Sequence, residues 1–143
     1  TQWILSRQLH HEETQYDIAL RLRADSIDSL NQVEIRQILK EHGFPKKTEV
    51  GTSACEAAWI IIQHAPLDVQ KEYLPMLERA ATEGNIQAAL VAALHDRVDV
   101  REGRPQKYGT QRNSNGLCPL LNEKMVNQWR KEVGLPPLDE SAK

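Results

Sequence analysis

Residues 106–111 read QKYGTQ, and the rest of the chain is organised around this polar stretch. It carries two amides, a phenol, a hydroxyl and a glycine, and it follows the most apolar part of the sequence. A hydrophobic core does not need that set of hydrogen-bonding groups, whereas a polar pocket does. Two further polar sets interrupt apolar helical runs upstream, QHAPLD at residues 63–68 and HDR at residues 95–97. The sequence therefore predicts that the three sets converge on one site.

Length and composition fit one soluble globular domain covering residues 1–143. The net charge of −2 gives no electrostatic footprint for nucleic acid. The longest apolar run, at residues 57–62, is too short to span a bilayer, so no membrane partner is expected. Cys55 and Cys118 match neither a metal motif nor a disulfide framework, which favours a reducing cytoplasm. The oligomeric state and the presence of a segment before Thr1 are left open.

Helical periodicity predicts an all-α, single-domain bundle of about six helices. Residues 99–119 lack that periodicity and are expected to form a long ordered loop or a small β-hairpin. Asn115 and Gly116 supply a hairpin turn, with Tyr108 to Arg112 as one arm. The predicted helices cover residues 3–24, 28–43, 53–64, 69–83, 86–98 and 122–133.

Helix starts are assigned from capping residues, and helix ends from glycine and proline. Capping boxes beginning at Ser29 and Ser53 open the second and third helices. Asp68 and Asn85 are expected to cap the fourth and fifth. One core is predicted from the large apolar residues of these helices: Trp59, Ile60, Ile62, Leu74, Leu77, Leu90 and Leu94.

His64 follows the most apolar predicted helix and is the first candidate for proton transfer. The helix dipole at this end favours the protonated ring and burial favours the neutral ring, a balance that suits a general acid or base. Asp68, four residues on, is placed to orient the ring. The alternative is a histidine that is simply hydrogen-bonded within the core.

Asp96 and Arg97 follow an apolar helical stretch and are open to two interpretations. They form either an exposed charge pair at a helix end or an inward carboxylate beside His64 with an arginine fork for an anion. His95 is next to Asp96 in sequence and therefore on a different helix face. It is predicted to be non-catalytic.

These arguments give one predicted site with two kinds of residue. The predicted catalytic residues are His64, Asp96 and Tyr108. The residues predicted to position substrate are Gln63, Asp68, Arg97, Gln106, Thr110 and Gln111. No zinc spacing, phosphate-binding glycine loop or nucleophile elbow occurs, so neither a cofactor nor a metal is expected. A metal held by His64, Asp68 and Asp96 is the weaker alternative.

Several of these motifs together resemble an uncharacterised bacterial family catalogued as a domain of unknown function. The matching segments are Gly43-Phe44-Pro45, Gln63-His64-Ala65, Asp96-Arg97-Val98 and Gln106-x-Tyr108-Gly109-Thr110-Gln111, with Arg130 and Val133-Gly134-Leu135 near the end. The resemblance covers about residues 28–138. One departure is Pro66, which stands where the family usually has an aspartate, while Asp68 keeps a second acidic position. The resemblance implies a bacterial source and a shared site but no activity.

The favoured function is a small, cofactor-independent enzyme of hydrolase, lyase or isomerase type. Its histidine would act as general acid and base on a polar small molecule, a peptide or a modified amino acid. The alternative is a module that binds a ligand or a protein without chemistry. A toxin-type nuclease is disfavoured by the acidic sequence pI of about 6.2.

Overall fold

The computed structural model describes residues 15–139, which form six helices and one two-stranded hairpin. The expected mainly helical domain with a small β element is confirmed. The elements are α1 (Gln15–His42), α2 (Lys47–Val50), α3 (Thr52–Gln63), α4 (Leu67–Thr82), α5 (Ala88–Arg101), β1 (Arg112–Asn113), β2 (Gly116–Leu117) and α6 (Val126–Glu132).

Helix α1 is one continuous helix where two were predicted. Its sequence from residue 15 to residue 42 contains neither glycine nor proline, so nothing stops it. The Ser29 hydroxyl donates to the carbonyl of Asp25 at 2.8 Å, a bond inside a helix rather than at a cap. The predicted break near Ser29 is therefore wrong. Residues 3–14 of the predicted first helix lie outside the described residues.

The other predicted side-chain caps are also absent from the described helices. Helices α3, α4 and α5 begin after Gly51, Pro66 and Gln87, and none of these residues makes a capping bond from its side chain. The Asn85 carboxamide instead accepts from the backbone N–H of Lys47 at 3.0 Å, joining the α4–α5 turn to the start of α2. Helix α6 begins at Val126 rather than near residue 122.

The core lies where α3, α4 and α5 meet the second half of α1. Ile62, Leu77 and Leu94 are fully buried, as predicted. Three other predicted core residues are partly buried and pack against this cluster: Trp59, Leu74 and Leu90. The prediction for Ile60 is wrong, because that side chain is 45% exposed on the outer face of α3.

The segment after α5 is an ordered loop that carries the hairpin. Strands β1 and β2 pair antiparallel, with Arg112 opposite Leu117. Of the predicted arm from Tyr108 to Arg112, only Arg112 lies in a strand. The backbone N–H groups of residues 108, 110 and 111 bond to side chains, although the Gln111 carbonyl accepts from the backbone N–H of Cys118 at 3.1 Å. None of the described helices combines the length and the hydropathy that crossing a bilayer requires.

Candidate functional site

Asp96 anchors the QKYGTQ loop to helix α5. This side chain is fully buried and accepts four hydrogen bonds. Its Oδ1 accepts from the backbone N–H groups of Lys107 and Tyr108, at 2.9 and 3.0 Å. Its Oδ2 accepts from the backbone N–H and the hydroxyl of Thr110, at 3.0 and 2.9 Å. Bonds to a carboxylate are the strong kind, so Asp96 fixes the course of the loop.

Gln106 closes the same loop from inside. It is fully buried, and its Nε2 donates to the carbonyls of Gln111 and Cys118, both at 2.9 Å. Its Oε1 accepts from the backbone N–H of Gln111 at 2.8 Å. The Gln111 amide in turn donates to the carbonyl of Ala93 on α5, at 3.3 Å. Both glutamines therefore hold the loop together.

Arg130 adds a third anchor from helix α6. The guanidinium Nη1 donates to the carbonyl of Tyr108 at 2.7 Å, and Nε donates to the carbonyl of Pro136 at 2.6 Å. Burial lowers the pKa of Arg130, and the negative charge of Asp96 opposes that shift. We call Asp96, Gln106 and Arg130 the loop anchor. It joins α5, the QKYGTQ loop and the C-terminal segment.

Gly109 is the point where the loop passes close to the C-terminal segment. Its φ of +67° lies in the left-handed region that favours glycine, and a Cβ there would meet Leu138 Cδ1 at 2.7 Å. We expect Gly109→Ala to lower the free energy of unfolding by about 1–3 kcal/mol, measured by urea denaturation. Gly103, with φ of +76° and open space around it, is the control. An equal loss in Gly103→Ala would show that the backbone, not the contact, sets the cost.

The structure brings together five of the predicted site residues, but mostly as partners of one another. These are Asp96, Tyr108, Gln106, Thr110 and Gln111. A carboxylate with four donors and an amide with three partners have little capacity left for a substrate. Their predicted roles in chemistry and substrate binding therefore stay predictions, beside a structural role that the contacts show.

His64 and Asp68 lie apart from that group and are both exposed, His64 directly after α3 and Asp68 in the first turn of α4. His64 borders a cleft of about 90 Å³ with residues of α1 and α3, and that cleft shares no residue with the one that Tyr108 borders. Gln63 Oε1 and Arg97 Nε are buried, with no hydrogen-bond partner among the described residues. The Gln63 carbonyl accepts from Gln70 Nε2 at 2.6 Å, which ties α3 to α4.

His95 lies in a second polar cluster, on the outer side of the loop anchor. Its Nδ1 is 3.2 Å from Asp99 Oδ2 without forming a hydrogen bond, and its Nε2 is 4.0 Å from Glu78 Oε1. Arg104 holds Asp99 by two bonds to Oδ1, from Nε at 3.0 Å and from Nη2 at 2.6 Å. The Tyr108 ring meets the His95 ring edge to face, with 6.2 Å between centroids. A histidine between two carboxylates is an arrangement that can transfer protons.

This cluster borders a cleft of about 210 Å³ between α4, α5 and the end of α6. Its polar lining residues are Glu78, Thr82, His95 and Tyr108, and its apolar ones are Ala81, Ala88, Val91, Ala92 and Val133. Lys107 lies beside it, with Nζ 5.1 Å from the centre of the Tyr108 ring and 5.3 Å from that of Trp129. The cleft is thus mixed in polarity and small.

The sequence carried a signal for this cluster that the prediction did not use. His95 was set aside because its neighbour Asp96 points about 100° away on a helix. The relevant partner is Asp99, at i+4, which lies on the same face as His95. A His-x-x-x-Asp pair on a helix beside the QKYGTQ loop would have identified it.

His95, Asp96 and Asp99 lie close enough to be tested as a metal-binding set, with one ligand atom from each within 4.8 Å of the others. The two carboxylates are already engaged in hydrogen bonds, however. Asp96 accepts four hydrogen bonds, and Arg104 occupies Oδ1 of Asp99. A protein metal site needs three or four available ligands, so these residues do not fit one.

Glu102 extends the charged cluster from Arg104 to Lys71 on α4, and both cations donate to its carboxylate. The bond from Lys71 is the main cause that lowers the pKa of Glu102 below its ordinary value. A carboxyl group whose pKa is lower in the folded state than in the unfolded state stabilises the fold at pH values above its unfolded-state pKa. That stabilisation is lost as the pH falls through its folded-state pKa. We expect Glu102→Gln to be less stable than the native chain at neutral pH, with the difference shrinking as the pH falls below the ordinary glutamate pKa of about 4.3. Urea denaturation across a pH series measures this, and a difference that persists in acid would contradict it.

Comparison with known proteins gives one match. The model of a family of unknown function (DUF6624) matches residues 10–143. No curated protein and no solved structure matches the chain.

Proposed function

The chain belongs to this family of unknown function, and we propose from its own geometry that it is a small acid–base enzyme acting on a polar substrate. The site of the reaction is the cleft of about 210 Å³ between α4 and α5. His95 is the group that gives and takes the proton. The reaction is of hydrolase, lyase or isomerase type and uses no organic cofactor.

The observation that carries this proposal is the position of His95 between Asp99 and Glu78. Asp99 lies 3.2 Å from Nδ1 and is itself held by Arg104, so it is placed to orient the imidazole. The other ring nitrogen, Nε2, faces Glu78 at the cleft, where a substrate proton would be transferred. His95 and Asp99 both lie on helix α5, a rigid element that fixes their relative position.

The loop anchor has a supporting role in this proposal. Asp96 and Gln106 hold the backbone at Tyr108, and Tyr108 in turn packs against His95. Tyr108 is the residue of the QKYGTQ loop that lines the cleft, so it is the one placed to contact substrate. His64 is replaced by His95 because His64 is exposed, whereas His95 is half-buried beside two carboxylates.

The cleft also limits the substrate. Its volume of about 210 Å³ is below the roughly 300 Å³ at which pockets for drug-sized ligands begin, which favours a small molecule or one side chain of a peptide. Glu78 and Tyr108 offer an acceptor and an aromatic face, and Val91, Ala92 and Val133 offer apolar contact. A peptide or modified amino acid with a polar, hydrogen-donating end fits that lining.

A binding module without chemistry is the second candidate, and one observation favours it. The polar groups of the QKYGTQ loop satisfy each other in the described structure, so the signature motif is explained by folding alone. The cleft would then hold a ligand or a partner's side chain without turning it over.

The cellular setting belongs to the same proposal. The free cysteines Cys55 and Cys118 are both buried, which suits a reducing bacterial cytoplasm. The net charge of −2 favours a small-molecule or peptide substrate over nucleic acid.

Replacement of His95 tests the proposal against the prediction for His64. We expect His95→Asn to lower turnover by about 10²- to 10⁴-fold, because it removes the proton-transfer group. His64→Asn, a matched change at an exposed histidine, should leave turnover unchanged. The measurement is product formation from a panel of dipeptides, N-acetyl amino acids and p-nitrophenyl esters, with thermal melts run on each variant.

The outcomes separate the candidate functions. Loss of turnover in His64→Asn with activity retained in His95→Asn would overturn the site. If the native chain turns over none of the panel but binds a member, and His95→Asn binds it equally, the module is favoured.

A further inference from the structure

Residues 18–30 of α1 are exposed around the whole circumference of the helix. Every residue from Ile18 to Leu30 is exposed, and burial of α1 begins with Asn31, Gln32 and Ile35. This part of α1 nevertheless carries large apolar side chains, including Leu22 at 58% exposed and Leu30 at 70%. A helix of this length without tertiary packing is only marginally stable in water, since packing of an apolar face normally supports it. We therefore expect another protein surface to pack against this part of α1.

One face of this part of α1 is free of charge. Five residues with helical spacing define it, and we call them the α1 stripe: Ala19, Leu22, Ser26, Leu30 and Val33. Successive members are three, four, four and three residues apart, which keeps them on one side of the helix.

The α1 stripe points away from the protein's own core. Ile35, which is buried, comes nine residues after Ser26 and is therefore about 180° round the helix from it. The Ser26 hydroxyl donates to the carbonyl of Leu22 at 2.9 Å, so it needs no partner from outside. The stripe behaves as an apolar surface that the described chain leaves uncovered.

The spacing of the stripe is symmetric about Ser26. Leu22 and Leu30 lie four residues to either side, and Ala19 and Val33 lie seven residues to either side. We propose that the α1 stripe pairs antiparallel with the α1 stripe of a second copy of this chain, with Ser26 at the two-fold axis. Leu22 of each copy then packs against Leu30 of the other, and Ala19 against Val33. A self-complementary patch of this kind is what a two-fold dimer requires.

The charges of α1 agree with a second copy as the occupant. Arg21, Asp25 and Asp28 are about 100° or more from Ser26 around the helix, so they do not enter the interface. Arg23 and Glu34 lie on one flank of the stripe, about 60–80° from Ser26. Antiparallel pairing about Ser26 sets Arg23 of one copy level with Ser29 of the other and Glu34 level with Ile18, so like charges do not oppose each other. Leu20 and Ile27 lie on the same flank as these charges, so their face is less suited to helix pairing than the α1 stripe.

The size of the stripe sets the strength of the pairing. Fourteen residue steps from Ala19 to Val33 give a contact about 21 Å long. One helix face of that length falls at the small end of specific interfaces, below about 1,200 Å². The dimer is therefore weak, and the fraction of chains in the dimer should rise with protein concentration.

Cysteine cross-linking of the full chain tests the geometry. Ser26→Cys should form a disulfide-linked dimer on diamide oxidation, because the two residues meet at the axis within the 4.4–6.8 Å that a disulfide spans between Cα atoms. Asp28→Cys, equally exposed but off the stripe, is the matched control and should stay monomeric. Leu22→Cys alone should not cross-link, whereas an equimolar mixture with Leu30→Cys should. Cross-linking of Leu22→Cys with itself would overturn the antiparallel arrangement.

Sedimentation velocity over a concentration series tests the association itself. The native chain should shift from monomer toward dimer as its concentration rises, and Leu30→Lys should stay monomeric with the same helical circular dichroism. A native chain that is monomeric up to millimolar concentration, without cross-linking of Ser26→Cys, would overturn the proposal. A dimer that survives Leu30→Lys would also overturn it, since the copies would then meet through another surface.

Discussion

Asp96→Ala is expected to lower the free energy of unfolding by about 3–5 kcal/mol, the cost typical of removing one partner from a buried charged contact. The carboxylate is fully buried and accepts four hydrogen bonds, three of them from backbone N–H groups of the QKYGTQ loop. Without it those donors are left buried and unpaired, at about 1–3 kcal/mol each where water cannot reach them. The measurement is equilibrium urea denaturation followed by circular dichroism.

Two further variants show that the loss comes from the hydrogen bonds. Thr110→Val removes only the hydroxyl donor to Asp96 Oδ2 and should cost about 1 kcal/mol. Asp96→Asn keeps the side-chain volume and one acceptor oxygen, so its stability should lie between those of the other two. An Asp96→Ala chain as stable as the native one would contradict the anchoring role and restore Asp96 as a candidate catalytic residue.

Arg130→Met is expected to cost about 3 kcal/mol or more. The guanidinium donates to the carbonyls of Tyr108 and Pro136 at 2.7 and 2.6 Å, and hydrogen bonds to charged groups are worth about 1.5–3 kcal/mol each. Methionine retains most of the apolar stem, so the loss reports the polar contacts. The variant should also detach residues 135–139 from α6, which hydrogen exchange would detect as faster exchange at Leu135 and Leu138.

Lys131→Met is the matched control for that change. Lys131 is the next residue of α6, carries the same charge and is exposed. It should alter stability by no more than about 0.5 kcal/mol. Equal losses in the two variants would mean that charge on α6, and not the Arg130 contacts, stabilises this end of the fold.

Glycine and proline made the helix ends predictable from the sequence. Gly43 and Gly134 have positive φ angles just past α1 and α6, and Pro66 directly precedes α4. The helix starts were less predictable, because N-cap preferences are weak beside tertiary contacts. Asn85 shows the competition, since its carboxamide accepts from Lys47 of another helix and not from its own.

The convergence of the polar sets was predictable in part. Asp96 and the QKYGTQ loop do meet, and an aspartate inside an apolar helix beside a polar loop was the clue. Their structural roles could not be predicted from the sequence, because Asp96 bonds mainly to backbone N–H groups. Every non-proline residue has such a group, so the residue types give no signal. Exposure of His64 was missed because the apolar run before it suggested a helix buried on all sides, whereas α3 has an outer face at Ile60.

The loop anchor fixes the backbone of the QKYGTQ loop by hydrogen bonds that do not involve the side chains of residues 107 and 108. Asp96 binds the backbone of residues 107 and 108, and Arg130 binds the carbonyl of Tyr108, so neither contact depends on which side chain these positions carry. Evolution can therefore exchange side chains at the cleft border while the loop keeps its course. In the family signature given above, position 107 can be any residue. In this chain the backbone at position 107 makes an anchoring bond to Asp96, and the Lys107 ammonium lies over two aromatic rings. Relatives with another residue there should share the fold and differ in what the cleft accepts.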